Sequence, residues 1–106
     1  MKVYIKRMKS QIDAVGEYDL TSNQLTVLKG SIVSIGVRHS EKFNGGKIIE
    51  KMRMENTENR IVIKDITFKS PSSASNFVTG QSSNGWIEWK DEKRRKLKDA
   101  VKELEQ

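Results

Sequence analysis

"FKSPSSASNFVTGQSSNGWIEWK", residues Phe68 to Lys90, is the stretch on which the fold turns. It holds the chain's single proline and ends in both of its tryptophans. Its serines invite a search for a nucleophile, but position by position they read as helix punctuation. Ser70 stands where a hydroxyl caps a helix, and Pro71 suits the first helical position, where a missing N–H costs nothing. Ala74, Phe77 and Val78 fall at i, i+3 and i+4 and make one apolar face. Gly80 suits the left-handed residue that ends a helix. Asn84-Gly85 is a strong turn signal, so "WIEWK" is expected to leave it as a strand. On a strand Trp86 and Glu88 face one way, Ile87 and Trp89 the other, and the apolar pair points inward. Either both tryptophans anchor the core, or Trp86 is half buried and open to a partner. A bulge after Gly85 would exchange the two faces.

Upstream, strand character dominates. "KVYIKR" alternates charged and apolar residues as an edge strand does, and "AVGEYDL" and "QLTVLKGS" read as two strands joined through Thr21-Ser22-Asn23. "SIVSIGV" is short and β-branched, a further strand. Arg38 to Gly46 is a polar loop, after which "GKIIEKMRM" takes helical spacing, with Ile48, Ile49 and Met52 as its stripe and Asn44 as its cap. "NRIVIKDITF" returns to strand, bending at Asp65. Downstream, "DEKRRKLKDAVKELEQ" reads as a helix burying Leu97, Ala100, Val101 and Leu104. The expected architecture is α+β: an antiparallel-dominated sheet with about three helices laid on it, a single compact domain over residues 1–106.

The bulk numbers agree with that size. A chain of 106 residues buries about two-thirds of its unfolded surface, which leaves little room for a deep, dry cavity. There is no cysteine, which excludes disulfides and thiolate metal sites. No apolar run approaches the roughly 20 residues of a membrane span, and the charged beginning lacks a signal-peptide segment. A soluble cytoplasmic protein with no membrane attachment is expected. The formal net charge of +6 attracts polyanions, or else marks a moderately basic protein with no such partner.

Catalytic constellations are missing from the sequence pattern. "GQSSNG" places Ser82 and Ser83 between glycines but is not the G-x-S-x-G elbow, which also needs a strand before the serine and a helix after it. His39 is the only histidine and stands in a polar loop. "NGGK", ending at Lys47, has Glu41 where a phosphate loop needs glycine and Ile48 where it needs Ser or Thr. Asp13, Glu17 and Asp19 sit at alternating strand positions, which an exposed strand explains without catalysis. No cofactor, metal site or catalytic residue is assigned. The basic residues cluster better: Lys90, Lys93, Arg94, Arg95, Lys96 and Lys98 follow the tryptophans, although Asp91 and Glu92 interrupt them. Aromatics beside cations are what nucleic-acid binding uses, and a solvated helix start is the plainer alternative.

The combination Ser70, Pro71, Ser72, Ala74, Gly80, Asn84, Gly85, Trp86 and Trp89 resembles domain-of-unknown-function family 4357, a bacterial family often attached C-terminally to GIY-YIG nucleases. It also resembles the related RAMA domains, named for restriction adenine methylases. "DAVGEYD" and "VLKGS" are similar to that family's opening strands, so the resemblance spans nearly the whole chain. Two departures stand out. Ser73 and Ser75 replace alanines frequent at the helix start. Lys93-Arg94-Arg95 also stands where a glycine-bearing turn often follows the second tryptophan, which puts a hairpin there in doubt. What the resemblance implies is company with DNA-cutting and DNA-modifying enzymes. The function expected is therefore a non-enzymatic accessory module that binds nucleic acid, DNA first. Lys90, Lys93, Arg94 and Arg95, with Lys47, Lys51 and Arg53, would contact phosphates, while Asn84 and Trp86 would add hydrogen bonds and stacking. The alternative is a protein-interaction module that docks on a nuclease, a methylase or a second copy of itself.

Overall fold

The alternation of "KVYIKR" becomes the first strand, β1 (Lys2–Arg7), with Val3 and Ile5 buried and Lys2 and Lys6 exposed. In the computed structural model, which describes residues 1–38 and 45–105, it pairs antiparallel with β2 (Ile12–Tyr18), placing Lys2 opposite Glu17 and Lys6 opposite Asp13. The alternating carboxylates of β2 thus face cations across the ladder, an arrangement that stabilises a pair of exposed strands. β3 (Leu25–Val27) pairs with the far end of β2, and β6 (Ile66–Phe68) pairs with β3, giving a four-stranded antiparallel sheet in the order β1-β2-β3-β6. A two-stranded ribbon, β4 (Thr57–Glu58) and β5 (Ile61–Val62), turns through Asn59 and Arg60, both at positive φ. The helices are α1 (Gly46–Asn56), α2 (Pro71–Thr79), the single turn α3 (Gly85–Glu88) and α4 (Leu97–Leu104). The radius of gyration is 13.0 Å, that of one compact domain of this length.

α2 lies across β2, β3 and β6 and closes the core. Ala74, Phe77 and Val78 are fully buried, and the Phe77 ring meets Phe68 of the sheet at 5.3 Å. Its ends are built as the sequence predicts. The Ser70 hydroxyl accepts from the Ser73 N–H, Pro71 is the first helical residue, and Gly80 closes the helix at φ 74. A side chain at Gly80 would collide with the Gly36 carbonyl oxygen, 2.2 Å from an ideal Cβ, so the position needs glycine for space as well as conformation.

Several segments differ from the sequence reading. "SIVSIGV" forms no strand: Ile32 alone bridges to Asp13 and to Ile61. The ladder along β2 is interrupted because Gly30 turns at φ 93 and the Ser31 hydroxyl takes the place of a backbone partner, accepting from Val15 N and donating to Val15 O. "NRIVIKDITF" is two strands in two sheets, separated at Asp65, whose carboxylate accepts from the Lys29 N–H. In α1 the apolar stripe is narrower than its periodicity suggests. Ile49 is buried while Ile48 is 65% exposed, because Asn56 and the partly buried Arg53 share the inner face. Asn44 and His39 lie outside the described residues.

The larger correction is at the end of the opening stretch. "WIEWK" is a helical turn leading into an isolated bridge, not a strand. Asn84 caps α3 through its side-chain oxygen, which accepts from the Trp86 N–H, and its carbonyl accepts from Ile87 and Glu88. On a helix Trp86 and Trp89 are three apart and share a face. Trp89 is fully buried and Trp86 partly so, while Ile87, expected inward, is 38% exposed. The charged run that follows is also not helical at first. Residues 91–95 form a turn, and α4 begins only at Leu97. Leu97, Ala100 and Val101 are buried as expected, whereas Leu104 is 59% exposed at the helix end.

Candidate nucleic-acid interface

Ser72, Ser75, Asn76 and Ser83 turn their polar groups toward one another and the backbone between α2 and α3. The Ser72 hydroxyl accepts from the Gly85 N–H, the Ser75 hydroxyl donates to Ser72 O, and Ser75 and Ser83 lie 2.7 Å apart, oxygen to oxygen. Asn76 accepts from both the N–H and the hydroxyl of Ser83. The Trp89 indole N–H donates to the Pro71 carbonyl at 3.0 Å, and Gly85 approaches Pro71 so closely that an ideal Cβ would stand 2.1 Å from its carbonyl carbon. The partners of these serines are hydroxyls, amides and carbonyls, so the cluster joins α2 to α3 and prepares no nucleophile.

Beyond Trp89 the use of polar groups changes. Lys90 is extended and exchanges both backbone hydrogen bonds with Tyr4, adding one residue to the open edge of β1. Asp91 then organises the turn: one carboxylate oxygen accepts from the N–H groups of Lys93 and Arg95, and the other accepts from Arg95 Nε at 2.8 Å. Burial pushes the Asp91 carboxyl up, but these hydrogen bonds and the Arg95 charge outweigh it and hold it below the usual carboxylate range. Arg95 also pairs with Glu103 of α4. The turn forms without glycine because Arg94 itself takes the left-handed conformation, at φ 65.

This placement is unusual in its setting. For an L-residue the left-handed region costs roughly 1 to 2 kcal/mol. Arg60, at φ 69, has compensation: its guanidinium donates to Val33 O, Gln11 O and the Gln11 side chain. Arg94 is exposed and forms no side-chain hydrogen bond or ion pair among the described residues, and the same holds for Lys93.

Arg94 and Lys90 line a groove of about 780 Å³ between the turn and β1, together with Tyr4, Ile5, Lys6, Arg7, Met8, Glu88, Asp91 and Glu92. Within it Arg7 is paired with Glu88, and Asp91 is taken up by Arg95. That leaves Lys6, which also stands opposite Asp13 of β2, Lys90, whose ammonium donates to the Ile87 carbonyl, and Arg94 against the carboxylate of Glu92. Lys6 Nζ stands 5.3 Å from the centre of the Tyr4 ring. The Lys90 ammonium is pushed below its ordinary range, by burial first and then by the charges of Arg7 and Lys96. An anion entering here would relieve that crowding. A smaller hollow, about 350 Å³, shares Asp91 and Glu92 with the groove and is lined also by Lys2, Lys93 and Arg95.

The other residues singled out in the sequence are dispersed. The Trp86 ring leans edge-on against Tyr18 at 5.8 Å, outside the groove. Its indole N–H has no partner among the described residues; since no buried side-chain polar atom there is unpartnered, that N–H reaches the surface. Asn84 uses its side-chain oxygen as a helix cap. Lys47 and Lys51 are exposed on α1, which packs chiefly on α2 and β4, away from the turn. Arg53 is committed to the fold: Nε and both terminal nitrogens donate to the carbonyls of Phe77, Val78, Ser34 and Gly36 and to the Ser34 hydroxyl. Burial, with the Arg60 charge adding to it, pushes its guanidinium down to about 10. It clamps the C-terminal carbonyls of α2, where a cation is favoured, and has no donor left for a phosphate. The contribution of β1 was not anticipated. Its signal was present, since "KRMK" places three cations around a methionine at a strand end.

Among the described residues no helix is long and apolar enough to cross a membrane, and no cluster of His, Asp or Glu is placed to hold a metal ion. Comparison with curated proteins and with solved structures finds no match. One family model does match, over residues 3–101, and its description is a domain of unknown function, DUF4357. With nearly the whole chain covered, from β1 into α4, the protein belongs to the DUF4357 family.

Proposed function

We propose that this domain is a non-enzymatic module that binds the phosphate backbone of nucleic acid, duplex DNA in the first place. The phosphates lie along the groove between β1 and the turn of residues 91–95. Lys6, Lys90 and Arg94, which line it, are the contacting cations, joined at its ends by the exposed Lys9 of the β1–β2 turn and Lys93 of the second turn. Trp86 and Asn84 stand outside this set, and Arg53 is structural. The observation that carries the reading is Arg94, an exposed arginine in a left-handed turn position whose side chain forms no hydrogen bond or ion pair among the described residues. Strain of that kind, with no side-chain partner among the described residues, points to a role outside the molecule. The excess of positive charge in the groove and the net charge of +6 support it. So does the company with DNA-modifying and DNA-cutting enzymes that the family resemblance implies, as an analogy of context.

Fluorescence anisotropy with labelled duplex and single-stranded DNA across a salt series tests the proposal. With about five phosphates neutralised, log K falls against log salt with a slope of about −4 to −5 on duplex. A chain that shows no binding to either strand form at low salt overturns it.

A further inference from the structure

Resting on the nucleic-acid reading, we infer that Met8 is a wedge that enters the base stack of the bound duplex. The residue stands at the tip of the β1–β2 hairpin and is 97% exposed, more than any other large apolar side chain among the described residues. A single exposed apolar residue ordinarily needs no explanation, but three features set this one apart. Its neighbours in sequence are Arg7 and Lys9, and it lines the same groove as Arg94 and Lys90. Phosphates held by Lys9, Lys90 and Arg94 would bring the duplex onto the tip. The tip is also braced: Gln11 N–H donates to Met8 O, and Arg60 holds the Gln11 backbone and side-chain oxygens from the neighbouring ribbon. A braced hairpin presents its tip side chain in a fixed position. Methionine is among the side chains that unstack a base step when cations flank them on the backbone, and the duplex bends as a result. Pyrimidine–purine steps, the most easily unstacked, are the preferred place of entry.

The test uses short duplexes carrying 2-aminopurine at successive positions around a central TA step, with anisotropy read in parallel. The expected result is a fluorescence rise on binding at or beside that step. Met8→Ala should lose the rise while binding with an unchanged salt slope, and Met8→Leu should keep it. If the wild type binds and no position brightens, or if Met8→Ala brightens as the wild type does, the wedge is wrong and phosphate binding stands. If anisotropy shows no binding, both readings fall. Met8 is exposed on a turn, so neither substitution threatens folding.

Discussion

Residues 70–89 and residues 90–96 adjoin in sequence and use their polar groups in opposite ways. In the first, the hydroxyls of Ser70, Ser72, Ser75 and Ser83, the Asn84 carbonyls and the Trp89 indole N–H serve the fold. In the second, one carboxylate, Asp91, organises the backbone, while the side chains of Lys93 and Arg94 form no hydrogen bond or ion pair among the described residues. The contrast separates two reasons for a sequence to carry a recognisable signature. The Ser-Pro, Gly and Asn positions are needed to start and stop α2 and to cap α3, and Gly85 and Trp89 are needed where α3 meets Pro71. In the basic run Arg95 serves the fold through Asp91 and Glu103, whereas the left-handed Arg94 works against it.

The contrast is broken most easily at Gly85. An added Cβ would meet the Pro71 carbonyl carbon at 2.1 Å and Ser72 N at 2.4 Å, and both are backbone, which cannot rotate away. Gly85→Ala is expected to lose roughly 3 kcal/mol or more, at the upper end of overpacking costs. Urea denaturation of the variant measures this. A loss under about 1 kcal/mol would mean that the contact between α2 and α3 is looser than described.

Arg53 comes next, because it does for the loop at Ser34 to Gly36 what Trp89 does for Pro71. Arg53→Lys keeps the charge but removes the planar fork that serves the partly buried Phe77 and Ser34 carbonyls together. A loss of about 2 kcal/mol is expected, the scale of unsatisfied buried acceptors. Nucleic-acid affinity should be unchanged once the variant is folded. A salt slope shallower than that of the wild type would return Arg53 to the binding set.

These two positions also show what was readable in advance. The α2 helix was legible because its cap, its proline, its apolar face and its terminal glycine each act within a few residues. Arg53 was not, since nothing local separates a clamping arginine from a surface one; the carbonyls it satisfies lie at positions 34, 36, 77 and 78. The α3 turn was misread because Asn-Gly suits a hairpin and a helix cap alike, and the contact that selects the cap, Ser72 to Gly85, is long-range. The turn at residues 91–95 was hidden by helix-favouring residues. Asp91 overrides their propensity with three hydrogen bonds. Of the candidate site, the cluster Lys90, Lys93, Arg94 was legible, while β1 joins it through long-range contacts, the Tyr4–Lys90 bridge and the Arg7–Glu88 pair.

Asp91 offers a smaller effect with a distinct pH signature. Its folded pKa lies below the ordinary value, so its contribution is present above the unfolded pKa, near 4, and is lost as pH falls through the folded value. Asp91→Asn keeps an oxygen for the N–H groups of Lys93 and Arg95 but loses the charge facing Arg95. At neutral pH it should cost about 1 kcal/mol. The gap between variant and wild type should close as pH drops below about 4. A gap that stays constant over that range would show that the charge contributes nothing to the turn.

The smallest expected change in stability is at Arg94, and it separates the two uses of polar groups most cleanly. Glycine adopts φ 65 freely, so Arg94→Gly relieves the left-handed cost, while the more flexible unfolded chain takes some of that gain back. Stability should hold or rise by under about 1 kcal/mol. Binding should move the other way, with the salt slope on duplex DNA becoming shallower by about 0.9, one phosphate contact. A residue whose removal steadies the fold and weakens the grip is held in place by the ligand. If the variant is instead less stable and binds DNA as before, Arg94 belongs with the structural residues, and the division between the two stretches fails at the position where it is sharpest.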